Sequence, residues 1–381
     1  MEILFNILNV IKYLIYALLI IAFLIFIFLN VTPAFGASPD KNTKEIIVNS
    51  ENFVEGKFRN IKTTYTNFRT SEKKATLRDW FSPPKDKNPL NPLPTIKFNG
   101  RDLTKGKFVW LGHSTVLMKA EGLVVMTDPV FNRASPLPSF SSKSKSSFFN
   151  GKPFVFENPI LIEDLPKVDI VIISHDHYDH LDSKAIKDLS NLVDHFIVPL
   201  GVGAHLERWG VNKNKITELD WYESKSYKDI EFIFAPALHF SGRGITNGNS
   251  TLWGSWIVKS KSLSAYFSGD GGYSETFKKL GNEYGPFDIA FIENGAYNID
   301  WSNVHMFPDE SVQASIDLKA KVLLPIHWSK FDLSIHPWDE PIIRVTQEAK
   351  KKNVKIATPM IGEVFDLNNL PRNPWWEKLR N

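Results

Sequence analysis

Residues 168–182 read Val-Asp-Ile-Val-Ile-Ile-Ser-His-Asp-His-Tyr-Asp-His-Leu-Asp, an apolar run that changes abruptly into histidines and acids. The β-branched residues from Ile170 to Ile173 suit a buried strand, so the polar cluster begins where that strand ends. Packing so many imidazoles and carboxylates together is costly unless a cation offsets their charge, and neutral His with ionised Asp suits a divalent metal. The stretch therefore predicts a metal site at a strand end. The alternative is a solvated loop with incidental histidines.

The spacing within this cluster favours two metal ions over one. His175 and His177 lie two residues apart and can converge on one ion from a tight loop. Asp179 and His180 follow them and are available for a second ion. A single ion would not use all four side chains, so we expect a site for two divalent ions.

The composition narrows the classes of protein. The chain has 381 residues, enough for one large domain or two, and a formal net charge of only +3. No basic stripe with interleaved aromatic residues stands out, so nucleic acid is not expected as a partner. The chain has no cysteine, so any metal must be held by His and carboxylate groups. These ligands fit zinc best and admit iron or manganese.

The amino-terminal segment is apolar almost throughout residues 1–31, and residues 13–29 carry no charge. With the preceding turn included, this stretch is long enough for a helix that crosses a bilayer. We predict a single-pass transmembrane anchor over residues 1–31, and therefore a membrane location. A signal peptide cleaved near residues 34–37 is the alternative. Lys12 on one flank faces Lys41 and Lys44 on the other, a nearly balanced count of positive charges, so the sequence does not determine the side of the membrane.

Two further segments are predicted after the anchor. Residues 32–106 are polar, with five prolines between residues 83 and 94, and prolines at that density disfavour helix and central strand. We expect a proline-rich arm that packs on the core. Residues 107–381 carry strands that first form hairpins and later alternate with helices, which predicts one domain of two sheets covered outside by helices. Within it, the Ser-, Lys- and Pro-rich residues 132–152 are expected to form a surface loop.

A site for two ions needs more donors than residues 175–180 supply. His239, Asp270 and His327 each come shortly after a predicted strand. Glycines flank Asp270 and permit the tight turn that would aim its carboxylate at a metal. We therefore expect these three side chains to join the cluster at one edge of the sheets.

The order His-x-His-x-Asp-His, then His, then Gly-Asp, then His on successive strand ends resembles the metallo-β-lactamase superfamily. Several segments are most similar to the branch that contains the N-acylphosphatidylethanolamine-hydrolysing phospholipases D and their bacterial relatives. They are Trp110-Leu-Gly-His-Ser-Thr, Thr127-Asp-Pro-Val, Gly269-Asp-Gly-Gly-Tyr, His305-Met-Phe-Pro-Asp-Glu and Ile326-His-Trp. The resemblance runs from about Phe35 to near the carboxyl end. It implies the α/β fold of that superfamily, a four-layered αββα sandwich, here behind an amino-terminal transmembrane helix.

The resemblance also implies a role for each candidate side chain. The implied ligands of the first ion are His175, His177 and His239. Those of the second ion are Asp179, His180 and His327, with Asp270 bridging both. The implied catalytic residues are Asp179, Asp270 and His305. His305 would lie by the metals without ligating them and would bind phosphate or protonate the leaving group; a helix-capping structural role is its alternative.

The remaining histidines are not predicted to bind metal. His113 is expected behind the ligands or as a fold-stabilising residue, and His336 as a structural residue. His195 and His205 carry no motif and are expected on the surface or in helices.

The predicted function is hydrolysis by hydroxide that two divalent ions, zinc first, generate from a bridging water at neutral pH. The leading substrate class is a phosphodiester in a phospholipid-like or small molecule. The resemblance to the phospholipase D branch implies it, and a membrane anchor would keep the domain against a lipid. The first alternative is a lactonase resembling the ascorbate-phosphate lactonase branch. The second is a non-catalytic, membrane-tethered scaffold that keeps metal for stability. The sequence does not determine the oligomeric state.

Overall fold

The computed structural model describes residues 2–61, 74, 76, 79, 84–104, 107–136 and 151–379. Its helices are α1 (Glu2–Val31), α2 (Lys41–Asn49), α3 (Ser183–Leu189), α4 (Gly203–Arg208), α5 (Thr276–Glu283), α6 (Pro308–Asp317) and α7 (Glu340–Lys351). Residues 137–150 of the expected surface loop, and residues 62–73 of the expected arm, lie outside the described residues.

The strands fall into a short hairpin and two large sheets. They are β1 (Phe53–Val54), β2 (Lys57–Phe58), β3 (Phe108–Trp110), β4 (Val116–Ala120), β5 (Leu123–Thr127), β6 (Val168–Ile172), β7 (Val193–Pro199), β8 (Ile216–Leu219), β9 (Ser224–Tyr227), β10 (Ile230–Ala235), β11 (Ser255–Lys259), β12 (Ser264–Phe267), β13 (Ile289–Glu293), β14 (Leu323–Ile326) and β15 (Val364–Phe365).

The first sheet has seven strands in the order β15-β3-β4-β5-β6-β7-β8. Its antiparallel hairpin β4–β5 turns through Glu121 and Gly122, which both have positive φ, the geometry that matches the twist of a two-residue hairpin. From β5 to β8 the neighbouring strands run parallel. The carboxyl ends of these parallel strands therefore lie along one edge.

The second sheet has six strands in the order β14-β13-β12-β11-β10-β9. Its first three strands, β12 to β14, run parallel, while β9 to β12 form antiparallel pairs. In α/β sheets the carboxyl ends of parallel strands are the usual place for a binding site. The two sheets together thus supply several strand ends from which polar side chains can converge.

Apolar side chains fill two layers around these sheets. The larger cluster lies between the sheets and includes Trp256, Phe234 and Phe291; it extends to the helices α5, α6 and α7 on the far side of the second sheet. A smaller cluster covers the other face of the first sheet, where α3 and α4 contribute Ile186 and Leu206. The layers are therefore helix, sheet, sheet and helix, so the αββα sandwich expected from the sequence is confirmed.

The helix α1 stands apart from this sandwich with its apolar side chains exposed. Residues Phe5–Val31 are long and apolar enough to cross a membrane, by length and composition. A signal sequence near an amino terminus meets the same criterion.

Between α1 and the sandwich, the chain contains a helix that the proline-rich composition did not predict. The side chain of Asp40 caps α2 by accepting from the Thr43 backbone N–H at 2.8 Å. Further along, the Asn60 side chain donates to the backbone carbonyl of His239 at 2.8 Å and accepts from its N–H at 3.1 Å. The segment before the sandwich therefore contacts a predicted ligand directly.

Trp256 of β11 joins the two sheets at the point where β6 ends. Its side chain is fully buried, and its Nε1–H donates to the carbonyl oxygen of Ile173 at 2.8 Å. We expect Trp256→Ala to lower the free energy of unfolding by about 3–5 kcal/mol, because it removes a large buried side chain and opens a cavity. Chemical denaturation of the full chain in detergent measures this.

The matched control for Trp256 is Leu90→Ala, at a side chain that is 83% exposed. We expect a change of about 0.5 kcal/mol or less there, as is usual for surface substitutions. Equal stabilities of the Trp256→Ala and Leu90→Ala proteins would contradict this account of the inter-sheet core.

Candidate metal centre

The loop that connects β6 to α3, residues 174–181, is here called the histidine loop. It begins at Ser174, whose backbone N–H donates to Asp128 Oδ1 at 2.7 Å. It closes through the carbonyl oxygen of His177, which accepts from the N–H groups of His180 and Leu181 at 3.1 and 2.8 Å. These bonds make a tight turn that directs three imidazoles to the same side.

The first group of candidate ligands is His175, His177 and His239. Nδ1 of His177 lies 2.9 Å from Nε2 of His175 and 3.2 Å from Nε2 of His239. Two ligand nitrogens of a tetrahedral zinc ion, each about 2.0–2.1 Å from the metal, are separated by about 3.4 Å. The structure thus brings the three side chains to the spacing of a shared ion, although His239 is 62 positions from His177 in sequence.

The second group is Asp179, His180 and His327. Oδ2 of Asp179 lies 3.2 Å from Nε2 of His327 and 3.5 Å from Nε2 of His180. His327 is the first residue after β14 and has a positive φ of 66°, which is uncommon for a residue other than glycine. Its N–H donates to the carbonyl of His113, whose N–H donates to the carbonyl of Trp328. This reciprocal pair of bonds holds the turn at His327 in place.

Asp270 lies between the two groups. Its Oδ2 is 3.0 Å from Nε2 of His327 and 3.1 Å from Nε2 of His180. The same oxygen is 3.9 Å from Nε2 of His175 and 3.9 Å from Nε2 of His239. One carboxylate therefore faces imidazoles of both groups.

The donor chemistry fits divalent metal ions. Asp270 Oδ1 is buried and has no hydrogen-bond partner among the described residues. A buried polar atom without a partner is costly, and a cation would compensate that cost. Four sets of buried or half-buried His, Asp and Glu in the described residues lie close enough together to hold an ion. One of them is the first group, and another is the second group together with His113.

Two buried carboxylates outside the predicted set hold the rings in place. Asp128 Oδ2 lies 2.7 Å from Nδ1 of His180, and Glu293 Oε2 lies 2.8 Å from Nδ1 of His305. Such partners fix the orientation and tautomer of an imidazole. Asp128 directly follows β5 and Glu293 ends β13, so a search of every strand end for acids would have found them.

Two ligand candidates also have carbonyl partners that settle which ring nitrogen carries the proton. A carbonyl oxygen can only accept, so Nδ1 of His239, 2.9 Å from the Val304 oxygen, donates to it. Nδ1 of His327 faces the Gly295 oxygen at 3.3 Å in the same way. Nε2 of each ring is therefore the nitrogen turned toward Asp270 and left for a metal.

Burial and neighbouring charges shift the pKa values of the candidate ligands in different directions. Burial, together with the surrounding imidazoles, lowers the pKa of His175 and of His239 well below the ordinary value. Burial alone would raise the pKa of Asp270, but its imidazole neighbours hold it well below the usual range. Burial alone would lower the pKa of His327, yet the Asp270 carboxylate raises it to about 10. A cation at the second group would therefore displace protons from imidazole as it binds.

His305 and His113 lie beside the two groups. His305 Nδ1 is 3.9 Å from Asp270 Oδ2, and its ring lines the pocket above the ligands. His113 Nε2 is 3.0 Å from Asp179 Oδ2, while its Nδ1 is buried without a partner. His113 thus stands directly behind a candidate ligand.

The remaining histidines separate into three environments. The prediction of a surface or helix position for His195 is wrong, because it lies half-buried in strand β7 and contacts Thr217, away from the centre. His336 is half-buried and stacks on Tyr297. His205 lies in a helix, as predicted, but it is buried in α4 with its Nε2 3.4 Å from Oδ2 of Asp176 in the histidine loop. The sequence carried no signal for this contact, because it joins two segments 29 positions apart.

A pocket of about 370 Å³ opens above the two groups. Its lining combines candidate ligands with apolar side chains: His177, Asp179, Phe240, Asp270, Ala296, Trp301, Val304, His305, His327 and Leu333. A polar floor under apolar walls suits a substrate that has a charged centre and an apolar part.

Comparison with known proteins identifies the family. A family model described as "Beta-lactamase superfamily domain" matches residues 124–328. An uncharacterized protein of Mycobacterium tuberculosis is 36% identical over 358 residues, which cover 91% of this chain and 93% of that protein. N-acyl-phosphatidylethanolamine-hydrolyzing phospholipase D 1 of Caenorhabditis elegans is 33% identical over 309 residues, covering 75% of this chain and 84% of that protein.

Solved structures agree on the fold. An isothiocyanate hydrolase from Delia radicum gut bacteria matches 68% of this chain and 98% of its own, with a TM-score of 0.52 and 18% identity. At that identity the likeness extends to the fold alone. From the family match and the relatives together, the chain belongs to the metallo-β-lactamase superfamily, in the branch of the N-acylphosphatidylethanolamine-hydrolysing phospholipases D, and is a metal-dependent hydrolase.

Proposed function

We propose that this protein is a two-metal phosphodiesterase that acts on a phospholipid-like substrate at a membrane. The observation that carries the proposal is the place of Asp270, whose Oδ2 lies 3.0–3.9 Å from imidazole nitrogens of both ligand groups. A carboxylate in that position can bridge two ions, which is the arrangement of two-metal hydrolases.

The proposed ligands follow the two groups. His175, His177 and His239 would hold one ion, and Asp179, His180 and His327 the other, with Asp270 shared. When bound, two such ions lower the pKa of a coordinated water and neutralise phosphate oxygens. Zinc is the proposed metal because His and Asp ligands without Cys suit it, and iron and manganese accept the same ligands.

His305 is proposed to protonate the leaving oxygen or to bind phosphate. Glu293 holds its Nδ1 at 2.8 Å, and the ring reaches into the pocket beside Asp270. Burial alone would lower the pKa of His305, but the Glu293 carboxylate raises it above the ordinary value and favours the proton-bearing form. A positioned general acid of this kind contributes about 10²–10⁴-fold to a rate.

Three observations support a lipid-like substrate. A relative that covers most of this chain is named a phospholipase D that hydrolyses N-acyl-phosphatidylethanolamine. The pocket walls carry Phe240, Trp301 and Leu333 next to the ligands. Helix α1 would keep the domain against a bilayer, which makes a membrane lipid the nearest source of phosphodiester.

The test is turnover by the full chain reconstituted in lipid nanodiscs and loaded with zinc. The substrates are N-acyl phosphatidylethanolamine, bis(p-nitrophenyl) phosphate and a simple lactone. We expect phosphodiester hydrolysis that chelation abolishes and zinc restores. Lactone turnover without phosphodiester turnover would select the lactonase instead, and a metal-bound protein that turns over none of them would select the non-catalytic scaffold.

Replacing the shared carboxylate tests the bridge. We expect Asp270→Asn to lower kcat/KM by at least about a thousandfold, because it removes the charge that both ions share and about 4 kcal/mol of barrier stabilisation with it. Metal analysis of the same protein should show fewer than the two equivalents expected of the wild type. Asp229→Asn, at an exposed turn between β9 and β10, is the matched control and should change neither value. Full metal content and activity in Asp270→Asn would exclude the bridge.

The leaving group distinguishes the two roles proposed for His305. We expect His305→Ala to lower kcat by about 10²–10⁴-fold on an alkyl phosphodiester, whose leaving oxygen needs a proton. The loss should be much smaller on bis(p-nitrophenyl) phosphate, whose leaving group departs without one. Equal losses on both substrates would exclude proton donation and support phosphate binding. His195→Ala, away from the centre, should leave both rates unchanged.

A further inference from the structure

We propose that the segment directly after α1, residues 32–37 and here called the post-helix segment, positions the histidine loop for metal binding. His205 and Arg243 would be the positioning residues that connect the two. The inference rests on the proposed metal-binding function of the histidine loop. If it is correct, residues directly after α1 help to position the ligands of the metal centre.

The post-helix segment is fixed to α4 by side chains that donate to its backbone. Trp209 Nε1–H donates to the carbonyl of Pro33 at 2.8 Å. Arg208 donates through Nη1 to the carbonyl of Gly36 at 2.8 Å and through Nη2 to that of Asn30 at 2.6 Å. The end of α1 and the segment after it therefore have a defined place on the sandwich.

His205 transmits this contact to the histidine loop. The backbone N–H of Ala37 lies 2.9 Å from Nδ1 of His205, and an N–H can only donate. Nδ1 is therefore unprotonated, so the ring proton of the neutral imidazole sits on Nε2. Nε2 faces Asp176 Oδ2 at 3.4 Å, and it is the donor in that contact. The post-helix segment thus selects the tautomer that lets His205 bind Asp176.

Asp176 lies between the two ligand candidates His175 and His177 and is fully buried. Besides the His205 contact, its Oδ1 accepts from the Gly242 N–H at 2.7 Å, and its Oδ2 accepts from the Thr251 hydroxyl at 3.0 Å. These donors come from different parts of the chain and fix the peptide that carries both imidazoles.

Arg243 makes a second connection. Its Nε–H donates to the carbonyl of Ala34 at 2.7 Å, and its Nη1 donates to the carbonyls of Asp176 and Leu181. The planar guanidinium is buried and lies 4.2 Å from the centre of the Tyr178 ring. A rigid fork that binds the post-helix segment on one side and two points of the histidine loop on the other couples their positions.

The expected consequence is on metal affinity. Groups that hold metal ligands in place without touching the metal typically change affinity by about 10–100-fold when they are removed. The effect should concern the ion of His175, His177 and His239, because Asp176 separates the first two. Cleavage after Ala37 would remove the same contacts, so the chain is expected to retain this segment in its working form.

Gly36 offers a direct test because it touches His205. It has a φ of +72°, and a Cβ built there would lie 2.6 and 2.7 Å from two carbons of the His205 ring. Gly36→Ala therefore pushes a methyl group against the positioning residue. Gly56 has a φ of +77° and nothing within 4 Å of a Cβ, so Gly56→Ala also places a side chain at positive φ, without the contact. The two substitutions are matched in φ and differ in the contact with His205.

The experiment titrates the full chain in detergent with zinc against a chromogenic chelator. We expect Gly36→Ala to weaken the binding of one zinc ion by about 10–100-fold, while Gly56→Ala binds zinc as the wild type does. Equal zinc affinities of the two glycine variants would overturn the proposal. So would a purified protein whose intact mass shows cleavage after Ala37 and which still binds zinc with full affinity.

A second pair of variants tests His205 itself, should Gly36→Ala not fold. In His205→Gln the amide reaches as far as Nε2 and can still donate to Asp176, whereas the shorter His205→Asn cannot. We expect His205→Gln to retain most of the zinc affinity and His205→Asn to lose it by about 10–100-fold. Equal affinities of these two variants would overturn the role of the Asp176 contact.

The readout separates this inference from the proposed reaction. If zinc binding depends on Gly36 and His205 but the protein hydrolyses no phosphodiester, the proposed reaction is excluded and the positioning role is supported. A wild-type protein that binds no zinc would overturn both.

Discussion

The concentration of buried charge around Asp270 is the constraint on which the rest of the structure depends. Its Oδ2 lies within 3.9 Å of nitrogens from His175, His180, His239 and His327. Imidazoles and carboxylates removed from water are costly without compensation, and Asp270 Oδ1 has no hydrogen-bond partner in the described residues. Divalent cations would provide that compensation, and this donor set fits a member of a metal-dependent hydrolase family.

The two-sheet architecture makes this concentration of charge feasible. Parallel strands in both sheets direct their carboxyl ends to the same region, so the donors come from rigid elements rather than from one flexible loop. The fully buried Trp256 ties β11 to the end of β6 through the Ile173 carbonyl. Ligand atoms must be held to within a few tenths of an ångström for tight metal binding, and strand ends anchored in a packed core supply that rigidity.

The buried groups behind the ligands form a second layer of the centre. Asp128 and Glu293 orient His180 and His305, and Asp176 is held by three donors, one in α4 and two in the connection between β10 and β11. The contacts of Arg243 and His205 extend this layer to the segment after α1. The histidine loop and the segment after α1 are thus connected through the hydrogen bonds of His205 and Arg243.

The sequence by itself determined the strand-then-histidine pattern, the candidate ligands and the layered α/β class, because periodicity and strand-end chemistry are local properties. It indicated the apolar helix for the same reason. The sequence also predicted that His239, Asp270 and His327 join the histidine loop, and the tertiary structure supplied the distances. Only the tertiary structure decided that Glu293 stands behind His305 and that His205 reaches Asp176 from α4. Those contacts join residues far apart in the chain, and their geometry follows from how the two sheets pack and where α4 and the post-helix segment are fixed. The distances between these elements are set by packing, and a local sequence pattern does not contain that information.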